Sequence, residues 1–121
     1  MQLSHVNVTM PSGSEETARA FYGSVLGLPE IPKPDTLRAR GGTWFAAGSL
    51  EIHLSIEDVP RPIDVRRHFG LESSDVDGLR RRLEEASVPT EDGRPAPWKR
   101  FFVLDPFGNR IEIHEAGGLH A

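Results

Sequence analysis

The chain has 121 residues, enough for one domain with a real core, and its net charge of −4 comes from 14 basic and 18 acidic residues that are mixed along the sequence. This balance does not favour a polyanionic partner such as nucleic acid. The absence of cysteine excludes disulfides, a thiolate metal site and a cysteine nucleophile. No apolar run has the length of a membrane span, and the N-terminus has no signal-peptide core, so a cytoplasmic enzyme or binding protein is expected.

The first predicted strand, Leu3–Met10, alternates between apolar and polar residues. Because successive side chains of a strand point to opposite faces, this alternation places His5, Asn7 and Thr9 together on the polar face. Taken alone, His5 fits a solvated sheet surface better than a binding site.

A helix is predicted over Ser14–Leu26, since apolar residues recur there at the spacing of one helix face. These residues are Ala18, Phe21, Tyr22 and Val25. Ser12 with Glu15 matches a capping box at its start, with Ser14 as an alternative N-cap, and Gly27 supplies a stop signal.

Three short strands are predicted after this helix, near Leu37–Arg40, Trp44–Ala47 and Leu50–Ile56. The last of them alternates cleanly, with His53 on its polar face. Two prolines in the next segment, Val59–Asp64, disfavour strand pairing and predict a linker.

The second half repeats the order of the first. A strand over His68–Glu72 has His68 on its polar face, and a helix follows from Ser74 or Asp75 to Ala86. The many charges of that helix are most simply a solvated face. The predicted strands that follow lie near Pro89–Glu91, Lys99–Leu104 and Asn109–Glu115.

The last predicted strand carries Glu112 between Ile111 and Ile113, so the carboxylate lies on the face opposite the apolar residues. It follows a turn signal, Asp105–Gly108, and it also places His114 on the Glu112 face. His114 is interpreted as an exposed residue, with contact to a site as the alternative.

The spacing of these polar residues is itself repeated. His68 follows His5 by 68 − 5 = 63 residues, and Glu112 follows His53 by 112 − 53 = 59. The sequence therefore predicts an α+β domain over residues 1–121, built from two β-α-β-β-β modules. The modules span residues 1–58 and 65–115, joined by the linker 59–64, and residues 116–121 form a tail that includes His120.

This doubled pattern resembles the vicinal oxygen chelate (VOC) superfamily, which holds glyoxalases, bleomycin-resistance proteins and extradiol dioxygenases. The resemblance rests on His5, Ala20–Tyr22 with Leu26-Gly27, His68 and the segment Leu104–Glu112. It implies that each module curves into a half-barrel around a central cavity. It also implies a divalent metal ion, one of Zn, Ni, Co, Fe or Mn, held by His5, His53, His68 and Glu112.

By this resemblance the substrate is a small molecule with two adjacent oxygens, and the chemistry combines Lewis-acid action with proton transfer. His53 and Glu112 are the candidate catalytic residues, with His53 as a fourth ligand or as a base. Glyoxalase members usually have an acidic residue at the position of His53, which weakens the case for glyoxalase chemistry itself. The resemblance further implies a homodimer. Charge and hydropathy predict neither a nucleic-acid nor a membrane partner.

Two alternatives stay open. A metal-free protein of the bleomycin-resistance type binds an aromatic antibiotic, for which the candidate cavity aromatics are Trp44, Phe45, Trp98 and Phe107. An extradiol dioxygenase uses two histidines and a glutamate on iron, which His5, His68 and Glu112 match. Fosfomycin resistance is disfavoured, because Phe102 and Asp92 stand where those enzymes carry a tyrosine and a lysine.

Overall fold

The computed structural model describes residues 1–59 and 66–117. The chain divides into two compact units, Met1–Pro62 and Ile63–Ala121. Each unit contains one four-stranded mixed sheet with its helical segments, so the predicted α+β class of two β-α-β-β-β modules is confirmed. Apart from Val59, the predicted linker lies outside the described residues, and so do residues 118–121 of the predicted tail, including His120.

Unit 1 runs in the order β1, α1, β2, α2, β3, β4, with a π-helical segment directly after α1. The bounds are β1 His5–Met10, α1 Glu15–Ala18, the π-helical segment Arg19–Val25, β2 Glu30–Ile31, α2 Asp35–Arg38, β3 Thr43–Ala47 and β4 Leu50–Ile56. The sheet order is β1-β4-β3-β2, in which β1 pairs with β4 in parallel and the other pairs are antiparallel. The parallel pair brings the first and last strands of the unit side by side.

The predicted first helix is only partly α-helical, because after Ala18 the chain continues as the π-helical segment. The predicted apolar stripe still packs inward, with Ala18, Phe21 and Tyr22 buried. The predicted capping box is wrong. The Ser12 hydroxyl donates to the Asp58 carboxylate instead, and the N-cap residue Ser14 makes no side-chain capping bond.

The predicted strand at Leu37–Arg40 is also wrong, because the chain forms the short helix α2 there. Pro34, with its fixed φ, precedes the helix, and the Arg38 guanidinium lies 3.0 Å from the Asp35 carboxylate one turn earlier. The strand that pairs with β3 is β2, at Glu30–Ile31.

Unit 2 follows the predicted order closely. Its bounds are β5 His68–Ser73, α3 Val76–Glu85, β6 Thr90–Glu91, β7 Arg100–Leu104 and β8 Arg110–Glu115, and the sheet order is β5-β8-β7-β6. The β5 and β8 strands are parallel, as β1 and β4 are in unit 1. Asp75 is the N-cap of α3, and its side chain accepts a hydrogen bond from the backbone N–H of Gly78.

The turn between β7 and β8 is built on the buried carboxylate of Asp105. One of its oxygens accepts from the backbone N–H groups of Phe107 and Asn109, and the other accepts from the Asn109 side-chain amide at 2.7 Å. A buried carboxylate with three donors fixes the turn and thereby the register of β8. That register determines the face on which Glu112 lies.

The core of each unit lies on the apolar face of its sheet. In unit 1 the fully buried residues include Tyr22, Phe45, Ile52 and Leu54, and in unit 2 they include Leu83, Phe101, Ile111 and Ile113. The polar residues between them are thereby left on the opposite face. In the part of the chain that the structure describes, no helix is long and apolar enough to span a membrane.

Candidate metal centre

Glu112 and His68 lie on neighbouring strands of unit 2, with their side chains close together. The Nε2 atom of His68 is 3.3 Å from Oε1 of Glu112. The Nδ1 atom of His68 lies 2.8 Å from the carbonyl oxygen of Arg66, which only accepts hydrogen bonds, so the bond places a proton on Nδ1. In the neutral imidazole this leaves Nε2 of His68 as the nitrogen that would serve as a metal ligand, beside the carboxylate of Glu112.

Glu112 has a second charged neighbour that the sequence did not indicate. The Arg100 guanidinium lies 3.5 Å from Oε1 of Glu112 and also donates to the carbonyl of Arg94 at 2.9 Å. Arg100 is two residues before Phe102, the register partner of Glu112, so its place on this face follows from the alternation of β7. The buried carboxylate of Glu112 therefore has a cationic partner within its own unit.

His53 of β4 lies between two aromatic rings in unit 1. The Trp44 ring is parallel to it, with 3.7 Å between ring centroids, and the His5 ring covers its other face at 4.3 Å. The Nε2 atom of His53 lies 2.8 Å from a carboxylate oxygen of Glu51. If that carboxylate accepts the Nε2 proton, Nδ1 of His53 is the nitrogen left to accept a proton or bind a metal.

His5, on the adjacent strand β1, is exposed, and its Nδ1 atom lies 2.8 Å from the Ser4 hydroxyl. It reaches His53 because β1 and β4 pair in parallel, with Asn7 opposite His53. The structure thus brings together one predicted pair within each unit, His5 with His53 and His68 with Glu112.

Within residues 1–59 and 66–117, no group of three or more His, Cys, Asp or Glu side chains is arranged to hold a metal ion. The assignment of the four residues as ligands therefore stays a prediction. The donor set itself fits a borderline divalent cation, since it consists of imidazole nitrogens and one carboxylate.

His114 differs from its interpretation as an exposed residue, because it is buried and only 7% of its surface is accessible. Its Nδ1 atom donates to the carbonyl of Glu115 at 2.9 Å. The glycine at position 70, opposite Glu112 on β5, leaves room for the His114 ring, which lies 3.5 Å from where a Cβ of residue 70 would be. His114 is therefore a buried, packed residue two positions after Glu112 on β8.

Unit 1 also contains an open cavity of about 530 Å³ on its polar sheet face. His5, His53 and Trp44 line it together with Asn7 and Ser55, and the Ser55 hydroxyl donates to the Asn7 side-chain oxygen at 2.6 Å. Its volume lies in the range of small-molecule sites. Of the four aromatic residues considered for such a cavity, Trp44 lines it, whereas Phe45 is fully buried in the core.

The sequence profile of the Glyoxalase family, described as the Glyoxalase/Bleomycin resistance protein/Dioxygenase superfamily, matches residues 2–113. The chain belongs to this superfamily. The resemblance to VOC proteins that the sequence suggested is thereby confirmed.

Proteins from several bacteria are similar to the chain. A protein assigned to the glyoxalase family in Bacillus anthracis is 43% identical to it, with a TM-score of 0.86 over 95% of this chain and 94% of that chain. Glutathione transferase FosA from Serratia marcescens is 28% identical over 123 residues, which cover 95% of this chain and 82% of that protein. A variant of the fosfomycin resistance protein FosX from Listeria monocytogenes, complexed with Mn(II) and 1S,2S-dihydroxypropylphosphonic acid, shares the fold at a TM-score of 0.78 and 19% identity, over 94% of this chain and 91% of that chain.

Proposed function

We propose that this protein is a metal-dependent enzyme of the superfamily that acts on a small substrate with two adjacent oxygens. The main support is the pair in unit 2, where the Arg66 carbonyl accepts from Nδ1 of His68 and Nε2 of His68 lies 3.3 Å from the Glu112 carboxylate. The proposed ligands are His5, His68 and Glu112, with His53 as a fourth ligand or as a base beside the ion, and Zn, Ni, Co, Fe or Mn are the candidate ions.

When bound, such an ion acts as a Lewis acid on the substrate oxygens. The residues of the chain supply the proton movement. Glu51 holds Nε2 of His53 and thereby stabilises the imidazolium that forms when Nδ1 takes a proton from the substrate. The Trp44 and His5 rings keep the His53 imidazole in one orientation, so that Nδ1 stays directed to one place.

The metal proposal is tested by titrating protein purified without added metal, and by measuring bound ions per chain. We expect one ion per chain, and both His5→Ala and His68→Ala should weaken its binding by roughly tenfold or more. His120→Ala is the control, since His120 is outside the proposed set. If wild type and His68→Ala bind the same amount of metal, the ligand assignment is wrong. Loss of only half the metal in each variant would indicate two separate sites.

The role of His53 is tested by comparing metal content with turnover. We expect His53→Ala to retain more metal than His68→Ala and yet to lose activity. The screen covers hemithioacetals, catechols, 2-methyl-branched acyl thioesters and epoxides with metal-loaded protein. Equal loss of metal in the two variants would make His53 an ordinary ligand. Turnover of catechols alone would favour the dioxygenase alternative.

A metal-free binding protein is the second candidate, and the cavity of unit 1 favours it because Trp44 offers an aromatic wall there. Saturable binding of an aromatic antibiotic by metal-stripped protein, without turnover of any substrate, would support this candidate over the enzyme.

We do not propose fosfomycin modification, despite the similarity to FosA and FosX. The ring of Phe102 lies under the Arg110 guanidinium at 3.8 Å and offers no hydroxyl, and Asp92 forms an ion pair with Arg80 at 2.7 Å. Neither residue provides the phosphonate contact that a tyrosine or lysine provides.

A further inference from the structure

The cavity of unit 1 has a positively charged wall. Lys33 and Arg40, which flank the short helix α2, both line it, and among the described residues that line it there is no Asp or Glu. Two cations at a concave surface raise the local concentration of anions, because the low-dielectric walls focus their field.

The nearest carboxylates are already engaged by other groups. Glu51 lies against Nε2 of His53, and Glu15 accepts a hydrogen bond from the backbone N–H of Gly42. The charge of Lys33 contributes to lowering the pKa of Glu15, but neither carboxylate forms a direct ion pair with Lys33 or Arg40 in the described part of the structure. Both cations therefore keep donor groups for a ligand.

Contacts with the backbone hold Lys33 and Arg40 in position at the cavity. The Lys33 ammonium donates to the carbonyl of Gly41, which leaves two of its protons for other acceptors. Gly41 and Gly42 both have positive φ, and a Cβ at Gly42 would overlap the carbonyl oxygen of Leu54 on β4. This close approach fixes the end of the segment that carries Arg40 against the sheet.

The same cavity also has an aromatic and a neutral polar lining. Trp44, which stacks on His53, is its aromatic residue, and Asn7 with Ser55 adds uncharged hydrogen-bonding groups. A site with two cations, an indole ring and neutral polar groups fits a small molecule with one anionic end.

We propose that Lys33 and Arg40 bind the anionic group, a carboxylate or a phosphonate, of the small molecule that this cavity accepts. This proposal rests on the proposed function where it identifies the small molecule as the substrate, because His5 and His53 line the same cavity. The planar guanidinium of Arg40 can take two oxygens of such a group at once, and the Lys33 ammonium adds a point charge.

The test uses metal-free full-length protein in the presence of a chelator. With Trp98→Phe, Trp44 is the single tryptophan of the chain, and quenching of its fluorescence reports binding in the cavity. The probes are phenylacetate, phenylphosphonate and, as the neutral analogue, benzyl alcohol. We expect saturable binding of at least one anion, and about tenfold weaker binding of that anion in Arg40→Gln.

Arg38→Gln is the matched control, because Arg38 lies on the short helix α2 between Lys33 and Arg40 but pairs with Asp35 and does not line the cavity. Its affinity should equal that of the parent protein. Lys33→Gln should weaken binding as Arg40→Gln does, with circular dichroism to confirm that the segment still folds. The proposal fails if no anion binds, if benzyl alcohol binds equally well, or if Arg40→Gln has the affinity of the parent.

Metal titration of the same variants separates this proposal from the proposed function. Arg40→Gln should bind metal as wild type does. If no variant binds metal while anion binding still depends on Arg40, the proposed function fails and the anion site stands. If metal binds normally but Arg40→Gln does not change the affinity for the anion, the anion site alone is wrong.

Discussion

Gly42 connects the loop before β3 to two other parts of unit 1. Its N–H donates to the Glu15 carboxylate at 3.0 Å, and a Cβ at this position would overlap the carbonyl oxygen of Leu54. The positive φ of 94° is a conformation that residues with a Cβ adopt only under strain. A single position thus combines a backbone constraint with a steric one.

We expect Gly42→Ala to destabilise the protein more than Gly48→Ala. Both glycines have positive φ, so both changes carry a strain of roughly 1–2 kcal/mol. Only the Cβ at position 42 overlaps another atom, the carbonyl oxygen of Leu54, whereas the Cβ at position 48 meets nothing within 4 Å. Urea unfolding of the two variants measures the difference. Equal losses would show that the close approach to β4 contributes nothing.

Glu15 gives a prediction about pH. The hydrogen bond from Gly42 N–H, more than any other interaction, lowers the pKa of this carboxyl from its ordinary value. The unfolded chain therefore holds the proton more tightly. The stabilisation is complete above the unfolded pKa and is lost as pH falls through the folded one. The stability difference between wild type and Glu15→Gln should thus shrink from about pH 7 to about pH 3. A difference that stays constant over this range, measured by urea unfolding, would contradict the assignment.

The N-termini of α1 and α3 differ in whether a side chain caps them. In α3 the Asp75 side chain accepts from Gly78 N–H at 3.0 Å, whereas Ser14 before α1 makes no capping bond with its side chain. We expect Asp75→Ala to lower the free energy of unfolding by about 1 kcal/mol and Ser14→Ala to have little effect. Denaturant titration of both variants checks this. A similar loss from both substitutions would mean that the capping bond is not the cause.

The sequence predicted those elements that are long enough for their apolar pattern to repeat several times within the element. β4 and β8 alternate over six or seven residues, and the structure has them within one residue of the predicted ends. The apolar stripe of the first helix was also correct, but a stripe does not specify whether the backbone bonds in the α or the π register. The segment at Leu37–Arg40 has too few residues for any period, so Pro34 and the two glycines that follow decided its structure.

The candidate site shows the same division. Alternation placed His5, His53, His68 and Glu112 on polar sheet faces, and the strand register brings them together as two pairs. The same alternation argument could have placed Arg100 on the Glu112 face, because Arg100 shares the face of Phe102 on β7. It could not have placed Lys33 and Arg40, since their position in the cavity depends on the short helix that the sequence did not predict.

At the scale of the whole molecule, we propose that the protein is a homodimer, as the resemblance to VOC proteins implies. A two-fold dimer is the commonest closed assembly for a small chain, and it allows donors from both chains to contribute to one site. Light scattering at micromolar concentration should give a mass near twice 13.4 kDa. A monomer mass at that concentration would refute the proposal and would leave only donors of a single chain for the metal.

The parallel pairing of the first strand with the last in each unit has a consequence for how the protein folds. His5 pairs with Glu51 across 51 − 5 = 46 residues, and His68 with Arg110 across 110 − 68 = 42. The hairpin of β3 and β4, by contrast, closes over a turn of two residues. Since distant contacts carry the larger loop-closure entropy, we expect the hairpins to form early and the parallel strands to join late. Each donor pair lies across one of these late pairings. A chain that has formed only its hairpins therefore has not yet brought His5 next to His53 or His68 next to Glu112.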